Sequence, residues 1–339
     1  PHYLLYNTTS ISLPLQKKEL IFLKACSRQN LIGVIVFLCL IMPFHVNAYP
    51  SMEEDSLATS HTREALAYLD SVGELLPSIY WPKIKATYFL RNLRSTIKDP
   101  VQIYPGMGTN FCGYGAITYL LIQDDPLGYA RLLVTLYKDG EASYGKSHFK
   151  PSVPVRKVAG NLRFKGILDI HPAEQMWYLT LADHYKGYLN LFNRRYNPGD
   201  EDRLWAAVNF AKFNRMARNL MHYKINARGS DLMRPYIDDL YEYISNKMKS
   251  GKVVLFINNR IVHKKNHTKL KLGIPTHFIV AEKISKENNI ITFVYWDYGG
   301  RTQLQMSPAF FERIIFGIST CTRKPRQPLK SINNLFYFH

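Results

Sequence analysis

A cysteine becomes a useful nucleophile when a neighbour takes its proton, a third group orients that neighbour, and hydrogen-bond donors wait for the oxyanion. The sequence offers residues for each role. Cys112 follows the Gly-rich stretch Pro105-Gly106-Met107-Gly108 and opens the apolar run Cys112 to Ile122, which reads as a buried helix. A helix N-terminus lowers a thiol pKa, into roughly the 3.5–7.5 range of activated cysteines. The Cys112 main-chain N–H, free at the helix start, is a natural oxyanion donor. Gly113 removes side-chain bulk beside the sulfur and is expected, with Trp296, to meet substrate. His277 opens one β-rich segment and Asp297 closes the next, with a turn near Asn288 between them. Positions almost equidistant from a turn face each other across an antiparallel ladder. Asp297 is then placed to hold one imidazole nitrogen and leave the other for the thiol.

The elements that must position these groups follow from periodicity and breakers. Residues 51–99 read as largely helical with breaks near Pro77 and Pro82, and with Ser60 and Thr62 as candidate caps. Residues 100–110 read as a loop, and Pro126 to Tyr137 as a second helix with Pro in its first turn. Lys146 to Gly160 is basic and Pro-marked, a surface loop. Helices are expected over 172–191, 200–223 and 230–249, the last from a stripe of Leu232, Tyr236, Leu240, Tyr243 and Ile244. After Gly251 the character turns to strands: 252–262, 277–284, 290–296 and a short one at 304–306. A helix capped by Ser307 follows. Helices first and antiparallel strands later predict the α+β class.

The stretches Asn110-Phe111-Cys112-Gly113, Thr276-His277-Phe278-Ile279-Val280 and Val294-Tyr295-Trp296-Asp297-Tyr298-Gly299-Gly300, in that order and followed by a Ser-Pro-x-x-Phe helix, resemble the papain-like cysteine peptidase superfamily, especially compact bacterial members such as the bacteriocin-leader processing peptidases. The resemblance spans about Tyr104 to Ile318. It implies a papain-like fold, with the catalytic cysteine at a helix start packed on a C-terminal antiparallel sheet. It also implies Cys112 as nucleophile, His277 as general base and Asp297 as the orienting residue. The family places a Gln shortly before its cysteine to complete the oxyanion hole. Here Gln102 and Asn110 are the candidates for that role, and neither matches the pattern well. A helical insert over about 146–250 departs from the minimal family members.

Composition and charge set the compartment and partners. The net charge is +18, which favours acidic partners and anionic surfaces. A basic stretch from Lys17 to Lys24, an apolar run from Leu31 to Phe44 and Val46-Asn47-Ala48 read together as a signal peptide, with a membrane anchor as the alternative. Pro1 to about Gln16 is expected to be upstream sequence, with an alternative start near Leu20. Cleavage after Ala48 removes Lys17, Lys18, Lys24 and Arg28 against Glu19, so +15 remains on the exported part. The expected organisation is thus 1–48 as leader, 49–100 as a helical segment, 101–320 as the catalytic domain and 321–339 as a tail.

The function expected is an exported thiol hydrolase acting on a protein or peptide through an acyl-enzyme. The same triad also serves transglutaminase- or deamidase-type acyl transfer. A third reading is a non-catalytic, secreted, basic binding domain with a Cys112–Cys321 disulfide. No cofactor or metal is expected. His263 and His267 lie among lysines, and His171-Pro-Ala-Glu174 lacks the zincin pattern. Phosphate-binding glycine patterns are missing, so no nucleotide is expected. Arg194-Arg195, Lys264-Lys265 and Arg323-Lys324 read as solvated charge, and export argues against a nucleic-acid partner.

Overall fold

Helix starts are written into the chain by residues that satisfy the first free N–H groups. The computed structural model describes residues 58–162, 170–186, 195–221, 223–259 and 274–323, and among these residues lie nine α-helices, five of which open with such a side chain. α1 (Thr62–Val72) begins where Glu64 accepts from the His61 N–H at 2.9 Å, while Ser60 is drawn away to Asp125 at 2.6 Å. α2 (Ala86–Lys98) leads through a single 3-10 turn at Pro100–Gln102 and a loop to α3 (Cys112–Asp124). α4 (Pro126–Asp139) starts with Pro126 in its first turn and Asp125 accepting from Gly128 N–H at 3.0 Å. α5 (Val153–Val158), α6 (Pro172–His184) and α7 (Phe210–Leu220) follow, α7 capped by Asn209. α8 (Leu240–Ser250) is capped by Asp239, and α9 (Pro308–Ile314) by Ser307.

Among the described residues, eight strands form two sheets. β1 (Ala142–Tyr144) and β2 (Ser147–Phe149) make a small hairpin. The main sheet is antiparallel, in the order β3-β8-β4-β5-β6-β7, with β3 (Tyr223–Gly229), β4 (Lys252–Ile257), β5 (His277–Glu287), β6 (Ile290–Asp297), β7 (Gly300–Met306) and β8 (Ile315–Arg323). Val254, Phe256, Phe278, Val280 and Trp296 turn one face of this sheet into the core built by α1 to α7. Val253, Leu255, Ile279, Tyr295 and Ile318 turn the other face towards Leu240 and Ile244 of α8 and Phe311 and Ile314 of α9. The class is mixed α+β, with helices preceding a C-terminal antiparallel sheet. Among the described residues no helix is long and apolar enough to cross a membrane.

Several sequence expectations need correction. Residues 146–160 are not a plain loop: they hold β2 and α5. The helix expected from 230 begins only at Leu240, because Pro235 interrupts the pattern, and Leu232 and Tyr236 stand exposed. The helix expected over 200–223 shrinks to α7. β3 escaped notice because its burial is that of a polar edge strand. The expected tail also begins too early. Residues 321–323 end β8, which lies between β3 and β4, and Cys321 pairs with Ile225 and Lys252. Within the expected insert, α6 and α7 share the core of α2 and α3. The leader, His263, His267, Arg194 and Lys264-Lys265 lie outside the described residues.

Candidate active site

α3 is the helix that carries Cys112 into the interior. Every residue of it except Gln123 is buried, and its apolar surface runs all the way round, as an internal helix requires. Its backbone can lie this deep because small residues admit neighbours. A Cβ on Gly113 would meet Val208 at 2.8 Å, and one on Gly115 would meet Pro105 at 3.2 Å and Trp296 at 3.3 Å. α3 packs against β5, so its first residue comes to the start of that strand. There the Cys112 sulfur stands 4.0 Å from the Thr276 carbonyl, one residue before His277.

The imidazole and the carboxylate meet because β5 is bulged. Near the turn, Lys286 pairs with Ile291 and Lys283 with Val294; beyond Glu282 the register slips by one, so that Val280 pairs with Trp296. Unshifted, the ladder would place Asp297 opposite Val280, and the Asp297 side chain would leave the sheet on the face away from His277. Shifted, Asp297 continues opposite Ile279, a diagonal neighbour of His277 on the same face. Beyond the bulge the pairing is symmetric about Asn288, as read from sequence, while the pairs nearer the turn are centred between Asn288 and Asn289. His277 Nε2 and Asp297 Oδ1 are 2.6 Å apart. Both are buried, at 2% and 7% exposure, and Cys112 is at 9%.

With Nε2 taken by Asp297, the nitrogen left for the sulfur is Nδ1, which is buried and makes no hydrogen bond of ordinary geometry. Burial disfavours the imidazolium, but the Asp297 and Cys112 hydrogen bonds and charges outweigh it and raise the His277 pKa to about 9. The ring is clamped by Tyr298, stacked on it at 4.4 Å and 10°. Tyr298 and Gly299 form the two-residue β6–β7 turn, both at positive φ (39° and 82°), as the type I′ turn requires. A bulky residue at positive φ is strained, and the strain here is spent on holding a ring against His277. Burial, then the charges of Cys112 and Asp297, raise the Tyr298 phenol, which stays protonated.

No family model, no curated protein and no solved structure matches this chain. The site must therefore be read from its own geometry. Cys112, His277 and Asp297 are brought together. Gln102 and Asn110 are turned to other partners: Gln102 Nε2 donates to Asp99 at 2.8 Å, and Asn110 Nδ2 donates to the Arg203 carbonyl at 2.9 Å. The donor beside the sulfur is the Cys112 N–H itself, first in α3 and without an intrahelical acceptor. Gly113 makes room for Val208. Trp296 is also an interior residue, stacked on Tyr119 at 4.9 Å and donating to the Val101 carbonyl at 3.0 Å. The expected Cys112–Cys321 disulfide is absent: both thiols are free. Cys321 is fixed in β8 by its ladder partners, and burial pushes its thiol up to about 12. Among the described residues no group of three His, Cys, Asp or Glu is placed to hold a metal.

Four residues went unnoticed in the sequence. Tyr298 carried a signal, being a bulky residue where a Gly-containing tight turn wants Asn or Gly. Val208 and Lys212 carried none. Burial lowers the Lys212 pKa to about 7, and its Nζ donates at 3.2 Å to the carbonyl of Ala207, the residue before Val208. Glu174, in a segment read only as a failed zinc motif, is raised to about 7 by burial despite hydrogen bonds from Thr96 and the Tyr104 backbone. It anchors the loop that leads to Cys112.

The packing role of Gly113 is testable. Gly113→Ala is expected to cost about 1–3 kcal/mol through overpacking, read as a fall in Tm. Gly113→Ala with Val208→Ala should recover much of it, because the colliding methyls are gone. A double variant no more stable than the single one would show that Val208 is not what the added methyl meets.

Proposed function

We propose that the chain is a thiol hydrolase of the papain-like peptidase type, acting on a protein or peptide after export. The observation that carries this reading is the buried His277–Asp297 hydrogen bond, which leaves Nδ1 of the same ring for a cysteine at a helix N-terminus. The roles follow. His277 takes the Cys112 proton, and the thiolate attacks the substrate carbonyl. The C–O π electrons move to oxygen, which the Cys112 N–H receives. Collapse breaks the C–N bond, with His277 giving its proton to the leaving amine. Water then attacks the thioester carbonyl as His277 takes its proton, the C–S bond breaks to release the acid, and His277 returns the proton to the Cys112 sulfur. Asp297 stays ionised and holds the ring.

The test is acyl-enzyme trapping. Mixed with an activated p-nitrophenyl ester, the protein should release about one equivalent of nitrophenol in a burst and carry the acyl mass on the peptide containing Cys112. In the native protein iodoacetamide should label Cys112 and leave Cys321 unreacted until denaturant is added. A protein labelled at both positions only after denaturation, and showing no burst, would overturn the proposal. Activity should also fall on the alkaline side with a limb near pH 9, where His277 loses its proton.

A further inference from the structure

Two apolar side chains stand almost wholly in water at the loop between α1 and α2. Leu76 is 85% exposed and Ile79 83%, with Pro77 between them. The loop is not loosely held. Ser78 Oγ donates to the Tyr137 carbonyl at 2.5 Å, the Tyr137 hydroxyl receives the Ser78 N–H at 3.2 Å, and Trp81 Nε1 donates to the Leu136 carbonyl at 2.7 Å. The fold therefore presents Leu76 and Ile79 outward from a fixed base.

Cations gather at the same place. Lys83 and Lys85 follow directly and are exposed. The Arg156 guanidinium lies over the Tyr80 ring at 5.4 Å, a Cβ on Gly160, just past α5, would meet the Lys83 carbonyl at 2.7 Å, and Lys157, next to Arg156 in α5, is exposed. Glu74 is the acid on this loop. Glu141, whose charge Arg156 also feels, is already paired with Lys150 at 2.8 Å.

We propose that this corner docks on an anionic lipid surface. Leu76 and Ile79 enter the boundary between headgroups and acyl chains, and Lys83, Lys85, Arg156 and Lys157 meet lipid phosphates. The combination selects the partner. A nucleic acid rewards the cations but gives nothing for two aliphatic side chains in water. A second exposed apolar cluster, Leu232, Met233 and Tyr236, carries one cation, Arg234, against Asp231, Asp238 and Asp239, so it lacks this positive excess. The inference is independent of the thiol chemistry.

The experiment is co-sedimentation of the full chain with phosphatidylcholine vesicles, with or without phosphatidylglycerol, across a salt series. The apolar run at 31–44 is common to every variant, so differences report the patch. Leu76→Ser with Ile79→Ser should weaken binding to the anionic vesicles by about tenfold. Lys83→Gln and Lys85→Gln should each weaken it about fivefold, and less at high salt. Leu232→Ser with Tyr236→Ser should leave it unchanged, and all variants should keep the parent Tm. Parent-like binding by the Leu76/Ile79 pair would overturn the proposal. So would an equal loss from the Leu232/Tyr236 pair. Binding to a DNA duplex that falls with the lysine variants and not with the aliphatic ones, without any vesicle effect, would assign the patch to nucleic acid instead.

Discussion

Cys112→Ala should lose turnover of every acyl substrate, by about 10⁴-fold or more, while the protein keeps its fold. The size follows from the way nucleophile and base act as a unit: without the sulfur no acyl-enzyme forms, and what remains is binding and the main-chain oxyanion donor. Folding should survive because the side chain is small and Ala keeps its Cβ in the core, while the sulfur's contacts are to the Thr276 carbonyl at 4.0 Å and to the His277 ring. A far-ultraviolet circular dichroism spectrum like the parent's beside a measurable tenth of parental turnover would remove Cys112 from the chemistry. Cys321→Ala is the matched control. It deletes a thiol that burial keeps protonated, so turnover should be retained even if Tm falls.

The residues of the site were easier to read from the chain than the path that joins them. Cys112 announced itself by the Gly-rich loop before it and the unbroken apolar run after it, a pattern local to one helix. His277 and Asp297 sat at the ends of β-branched segments around an Asn-Asn turn, whose two residues do adopt positive φ. What sequence could not carry was the bulge at Glu282. One extra residue in β5 decides which face Asp297 takes, and no composition rule marks it. The same limit hid β8. Its residues are buried on both sides, so they lack alternation, and a basic tail follows them. Gly113 and Trp296 show a different limit. Their types suit substrate contact, yet each is consumed by a neighbour brought from far along the chain, Val208 in one case and Tyr119 with Val101 in the other.

The depth of the three side chains also shapes the electrostatics. A charge pair removed from water interacts more strongly, and each member depends more on the others. Tyr298 closes one side of the imidazole and Val208 lies on the glycine beside the sulfur, so the His277–Asp297 pair is held by packing as well as by charge.

That dependence makes Asp297 the second position of large effect. Asp297→Ala leaves a buried imidazole without its acceptor, free to turn and to choose the wrong tautomer, and kcat/KM should fall about 10²–10⁴-fold. Asp297→Asn should fall between parent and Ala, because its amide oxygen still accepts from Nε2–H while the charge is gone. Losing the charge lets burial dominate, so the His277 pKa drops from about 9 and the alkaline limb of the rate profile moves to lower pH in both variants. Stability follows the same linkage. A base whose folded pKa lies above its unfolded value of about 6.5 contributes fully below that value and loses the contribution as pH rises through about 9. The stability gap between parent and Asp297→Asn, from urea melts at pH 6 and pH 10, should therefore be wider at pH 6. A gap that widens with pH instead would mean that His277 is neutral in the folded protein, and that the proton waiting for the leaving group is held elsewhere.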